Sequence, residues 1–201
     1  MTWIKTIPYP EATGRLLKLY DRVKGPQNNI DNIMLAHSLR PHTMEGHMSL
    51  YKHVLHHPRN TIDTWFLEAL GTYTSLLNGC DYCVEHHFTG LARLLDNDIR
   101  STEIRQALEK HEWHDVFDAR EAAALDYARR LTQHPADVSS EDIQTLRISG
   151  WEDGEILEIN QVTAYFNYAN RTVLGLGVDT RGDVLGLSPD GSIDASNWQH
   201  R

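Results

Sequence analysis

The chain has 201 residues, 40% of them hydrophobic and 23% charged, which suits one compact domain with a real core, or two very small ones, and excludes full disorder. With 19 basic residues against 28 acidic, the formal charge is -9 and no basic stripe offsets it, so a grip on nucleic acid is not expected. No apolar run approaches the roughly 20 residues a membrane-spanning helix needs, and Met1-Thr2-Trp3-Ile4-Lys5-Thr6 lacks the apolar core of a secretory signal, so the sequence points to the cytosol and away from a membrane.

Apolar residues recur at spacings of three and four nearly everywhere, and alternating runs of strand length are scarce; the chain reads as all-α. A first helix is expected over 11–24, buried through Leu16, Leu17, Leu19, Tyr20 and Val23 and stopped by Gly25-Pro26. A second follows over 29–39. After Pro41, the residues Met44, Met48, Tyr51, Val54 and Leu55 trace one face of a third, which ends before His57-Pro58. Asn60 or Thr61 is the expected cap of a long helix reaching Leu77, and Asn78-Gly79 supplies the turn after it. The next helix spans 80–95, and Ser101-Thr102 opens a short one to Lys110. The Ala-rich stretch 118–133 has high helix propensity and is closed by His134-Pro135. Ser139 and Ser140 ahead of Glu141 and Asp142 start another, ended by Gly150. The last helix covers 152–174. Residues 1–178 therefore read as one helical domain, and 179–201, rich in Gly, Ser, Asp and Pro, as a C-terminal loop or arm.

Two cysteines are too few for a secreted disulfide framework, and in a reducing compartment a close pair suggests redox chemistry or metal binding. The sharpest signal is Cys80-Asp81-Tyr82-Cys83-Val84-Glu85-His86-His87. Helical spacing puts Cys80, Cys83 and His87 on one face, about 5–6 Å apart. The first turn of a helix offers free N–H groups and a positive dipole end, which favour a thiolate. Glu68 lies on the preceding helix with eleven residues between it and Cys80. At a rise of about 1.5 Å per residue, an antiparallel hairpin through Asn78-Gly79 brings Glu68 level with His87 rather than Cys80. A carboxylate on an apolar helix face needs such a partner.

Other readings of the same residues stay open at this point. The pair could form a structural disulfide, a weak staple because it closes so short a loop. Zinc could be held by Cys80, Cys83, His87 and either His86 or Glu68, although no second cysteine pair exists. Two inert buried thiols beside a chance histidine are the blandest account. A thioredoxin fold is excluded by the lack of alternating strands and helices. His37, His42, His47, His53, His56 and His57 crowd the second and third helices and read as surface histidines, since no carboxylate pairs with them at a diagnostic spacing. Asn167 and Asn170 sit in an apolar helix where amides need partners, and Asn170 is a secondary candidate with Tyr82 and His86.

The spacing Glu68, Cys80, Cys83, His87 resembles the alkylhydroperoxidase AhpD-like family of the carboxymuconolactone decarboxylase superfamily. The segments around 121–128 and 161–171 are similar to its peroxidase-related subgroup. The resemblance covers about residues 20–178. It implies an AhpD-like all-α fold, a homo-oligomer, and a peroxide-reducing cycle without metal or organic cofactor. In that cycle Cys83 attacks the peroxide and becomes a sulfenic acid, Cys80 resolves it as a disulfide, and His87 and Glu68 relay protons. The reductant would be a thiol, such as a dihydrolipoyl group on an adaptor protein, meeting Cys80 as the more exposed sulfur. The chain departs from the pattern at Tyr82, where relatives carry a histidine; a phenol titrates near 10 rather than about 6.5 and shuttles protons poorly at neutral pH. The same superfamily also implies an alternative, a decarboxylase acting on a carboxylactone, whose members generally lack the cysteine pair; a separate, non-enzymatic alternative is a zinc-stabilised or redox-sensing oligomer without turnover.

Overall fold

The computed structural model describes residues 1–189, 191–194 and 196–201. Among them nine α-helices run in the order α1 Gly14–Val23, α2 Asn32–Ala36, α3 Pro41–Leu55, α4 Thr64–Leu77, α5 Asp81–Leu95, α6 Asp98–Lys110, α7 Ala119–Gln133, α8 Ser140–Ile148 and α9 Asp153–Leu176. Single 3₁₀ turns cover Tyr9–Glu11 and Pro135–Asp137, and the β-structure among the described residues is one isolated bridge between Pro189 and His200. The all-α reading holds. No helix among them is long and apolar enough to cross a membrane.

Four helices start or stop about a turn away from the expected places, each for a local reason. α1 begins at Gly14 because Tyr9–Glu11 form a separate 3₁₀ turn and Ala12 and Thr13 are extended. The second is only one turn and a half, because Asn28 takes a left-handed conformation (φ 58°) before it and Arg40 is extended (φ −142°) ahead of Pro41 after it. α4 begins behind Asp63 rather than at Asn60 or Thr61, since the Glu158 carboxylate from α9 accepts the Thr61 and Ile62 backbone N–H groups and holds that segment as a loop. α6 begins nearly a turn early because the Asn97 side chain accepts the Arg100 N–H at 3.0 Å and caps it.

α4 is the axis of the molecule. Phe66, Leu67, Ala69, Leu70 and Tyr73 are all buried on it, and α5, α7 and α9 pack around it. α9 closes the core through Ile159, Val162, Phe166 and Val173. The close approach of α4 and α9 depends on Gly71, where a Cβ would stand 2.1 Å from the Phe166 ring. Between α4 and α5, Cys80 N–H donates to Ser75 O (2.9 Å) and Gly79 N–H to Leu76 O (3.1 Å), the paired bonds of a Schellman turn. Gly79 supplies the positive φ of 66° that this turn requires. The chain beyond α9 does not project outward but folds back across α5 and the loop before α2.

Candidate active site

The turn places Cys80 at the N-cap of α5 and Cys83 one turn inside it. Both sulfurs are thiols, and the two side chains hydrogen-bond each other. That shared bond draws the Cys80 thiol below its ordinary value and, with burial, pushes Cys83 well above. A pair sharing one proton ionises as a unit, with the first negative charge resting on Cys80. This differs from the simple expectation that the helix dipole lowers both thiols. Asn170 of α9 hydrogen-bonds both sulfurs and lowers both. Its amide is pinned in turn: Nδ2 donates to Ser75 Oγ at 2.9 Å, and Oδ1 accepts from Asn78 Nδ2 at 2.9 Å.

Glu68 and His87 meet as the hairpin count requires, His87 Nδ1 standing 2.7 Å from Glu68 Oε2. With Glu68 ionised, Nδ1–H donates to it and Nε2 is left to handle a proton. Phe166 holds the other side of the ring, edge to face at 4.5 Å. His56 Nε2 lies 3.8 Å from the second Glu68 oxygen. Burial holds the His56 imidazole well below its ordinary pKa, with the His87, His200 and Lys52 charges acting in the same direction. Glu68 is 2% exposed, so His87 is the partner that stands in for its water, while His56 Nε2 makes no hydrogen bond.

Tyr82 and His86 stand beside Cys83, His87 and Glu68 on the wall of one cavity and are tied to the C-terminal segment. The Tyr82 hydroxyl donates to Asp183 Oδ2 at 2.8 Å, and His86 Nε2 lies 3.2 Å from the same oxygen. Burial and the Asp183 charge push the Tyr82 phenol well above its usual range, so it serves as a fixed donor to the C-terminal segment. Among the described residues no group of three or more His, Cys, Asp or Glu side chains is arranged to hold a metal ion.

Cys83, His87 and Glu68 face one cavity of about 40 Å³. Its remaining wall includes Asp31, His47, Tyr51, Tyr165 and His200, and Leu187 closes its outer side. Sequence reasoning missed most of this wall. His37, His47 and His56, read as surface histidines, are buried: α3 turns His47 and His56 onto α9 and α4, and His37 at the end of α2 packs its ring against His47. Burial brings His47 down to about 3 and His200 to about 4, so both rings are neutral. Burial raises the Asp31 carboxyl to about 6. Asp31, Asp183 and His200 come from segments with no periodic signal, and nothing local in the sequence marks them.

The two sulfurs open to different sides. Cys80 lines a separate depression of about 270 Å³ with Asp81, Val173 and Asp179. Both sulfurs are buried, Cys80 0% and Cys83 3% exposed, with the Schellman turn and Asn170 covering the first and the roomier depression lying on its side.

No family model matches the chain, and no curated protein matches it in sequence. Solved structures do. The AhpD core of a peroxidase-related protein from Ralstonia eutropha JMP134 superposes with a TM-score of 0.75 at 20% identity, over 90% of this chain and 93% of that one. A peroxidase-related protein from Silicibacter sp. TM1040 gives 0.76 at 19%, over 90% and 93%. The debrominase Bmp8 gives 0.68 at 20%, over 90% and 91%, and a cysteine-to-alanine variant of it, solved with 2,3,4-tribromopyrrole, is also similar. The chain has the AhpD-like helical fold.

Proposed function

We propose that this AhpD-like chain is a thiol-dependent peroxidase, with Cys83 and Cys80 as the reducing pair and His87 and Glu68 as the proton relay. The observation that carries the reading is the shared cavity, in which one sulfur of a vicinal dithiol and a carboxylate-bound imidazole face the same small polar space. One proton of the dithiol passes to His87, and the one that remains rests on Cys80 as Cys83 reacts. Cys83 thiolate attacks the terminal peroxide oxygen; the O–O bond breaks, and the departing oxygen takes a proton from the relay and leaves as alcohol or water. The Cys83 sulfenic acid is then attacked by Cys80, which forms the S–S bond and releases water. One hydroperoxide and two thiols thus give one alcohol, one water and one disulfide. A dithiol, such as a dihydrolipoyl group on an adaptor protein, restores the pair by exchange from the Cys80 side.

The peroxidase-related proteins that share the fold support this reading, and a cavity of about 40 Å³ favours a small substrate such as hydrogen peroxide. Excess hydrogen peroxide added to reduced protein is expected to consume both thiols and yield an intrachain Cys80–Cys83 disulfide by mass spectrometry. Cys80→Ser should stop at a sulfenic acid on Cys83 that dimedone traps. Thiols that survive excess oxidant, or a Cys83→Ser protein that reacts as fast as wild type, would overturn the reading.

A further inference from the structure

We infer that the segment after α9 sets the size of the substrate, closing the Cys83 cavity with Leu187 and His200 so that hydrogen peroxide enters and bulky organic hydroperoxides do not. The substrate class rests on the peroxidase reading; the size gate itself does not.

The cavity wall on the core side is fixed by α3, α4, α5 and α9, while its outer side is built from Gly186, Leu187, Ser188 and His200. A cavity of about 150 Å³ accommodates benzene. At about 40 Å³ the space here is about a quarter of that, too small for an aryl or tert-alkyl group. The cavity wall mixes apolar side chains such as Ile33, Met34 and Leu187 with polar ones, and the buried Asp31 Oδ1 and His47 Nδ1 lack hydrogen-bond partners, which suits a small donor and acceptor such as hydrogen peroxide.

The outer wall is tied down at several points rather than lying loosely on the surface. Asp183 accepts from Tyr82 OH and from the Asn32 backbone N–H (3.0 and 3.1 Å to its two oxygens). Arg93 donates to Gly186 O at 2.6 Å. Gly186 (φ 75°) lies so near α5 that a Cβ there would come within 2.6 Å of Thr89 Cγ2 and 3.0 Å of its backbone carbon, so the approach of Leu187 to the cavity depends on that glycine. His200 is 3% exposed and lies nearly parallel to Tyr51, with ring centroids 6.3 Å apart and an interplanar angle of 18°.

The test compares rates of thiol loss with hydrogen peroxide and cumene hydroperoxide, in the full chain and in Leu187→Ala, which enlarges the cavity without straining the backbone. Gly186→Ala serves as a second variant that lifts the segment. Wild type should favour hydrogen peroxide by at least about tenfold, and both variants should narrow that ratio by raising the cumene hydroperoxide rate. Alkylation of Cys83 supplies a readout independent of peroxidase activity: small iodoacetamide against bulky monobromobimane, with the same selectivity in wild type and the same relaxation in Leu187→Ala. Equal wild-type rates with both peroxides, or a ratio that neither variant moves, would overturn the size gate while leaving the peroxidase reading intact. Thiols inert to both peroxides but alkylated with size selectivity would overturn the peroxide assignment and keep the gate; inert thiols alkylated without selectivity would overturn both.

Discussion

Asn170 shows how much a single amide carries here. Its side chain joins Ser75 and Asn78 at the helix turn to both sulfurs, so Asn170→Leu leaves two hydroxyl and amide partners short and removes a donor that stabilises thiolate. The pH at which iodoacetamide alkylates the pair at half its maximal rate should move upward, and stability in urea should fall by about 1–3 kcal/mol. Glu68→Gln keeps the shape of the carboxylate but cannot hold an imidazolium. It should slow peroxide-dependent thiol loss by roughly 100-fold, within the usual range for general acid–base catalysis. Iodoacetamide reactivity of the thiols should change far less, which separates a lost relay from a damaged fold.

At the level of helices, the α4–α5 hairpin was legible because its information is local: a tight turn, helical spacing, and one carboxylate that needed a partner within the same hairpin. The histidine-rich third helix was misread for the opposite reason. Which of its faces is buried depends on α9, more than a hundred residues away, and the spacing of His47 and His56 carries no trace of it. The start of α4 is a smaller example, set by Glu158 reaching across from α9. Gly71 couples these helices most tightly. Gly71→Ala must push Phe166 aside, and Phe166 is the ring that packs against His87. The substitution should cost about 1–3 kcal/mol in thermal or denaturant unfolding and lower the peroxide rate even where the protein remains folded.

Across the whole molecule, the buried imidazoles predict an acid-sensitive fold. In the unfolded chain each binds a proton below about 6.5, while His47 and His200 resist down to about 3 and 4 and His56 is held well below 6.5. Between pH 6.5 and 4 the unfolded state therefore takes up more protons, and each such histidine removes about 1.4 kcal/mol of stability per pH unit of acidification. Asp31 works in the other sense. Raised to about 6, it binds a proton in the folded state first and adds stability as pH falls from 6 towards its ordinary 3.8. The buried histidines, His37 among them, outweigh Asp31, so the net effect of acidification is a loss of stability, and urea midpoints measured at pH 7 and pH 5 should show a clear drop. A midpoint that rises on acidification would mean the imidazoles are solvated.

The Arg22 guanidinium sits 3.6 Å from the centre of the Trp198 ring, and the same side chain donates to Ser196 O at 3.0 Å. Trp198 is 4% exposed in this sandwich, next to the residues that close the cavity. Any motion that lifts the segment trades a dry, cation-quenched indole for a hydrated one, so the chain carries its own optical reporter. Emission should brighten and shift to longer wavelength when Gly186→Ala is introduced, and Trp198→Phe should abolish that change while the other four indoles stay dark to it.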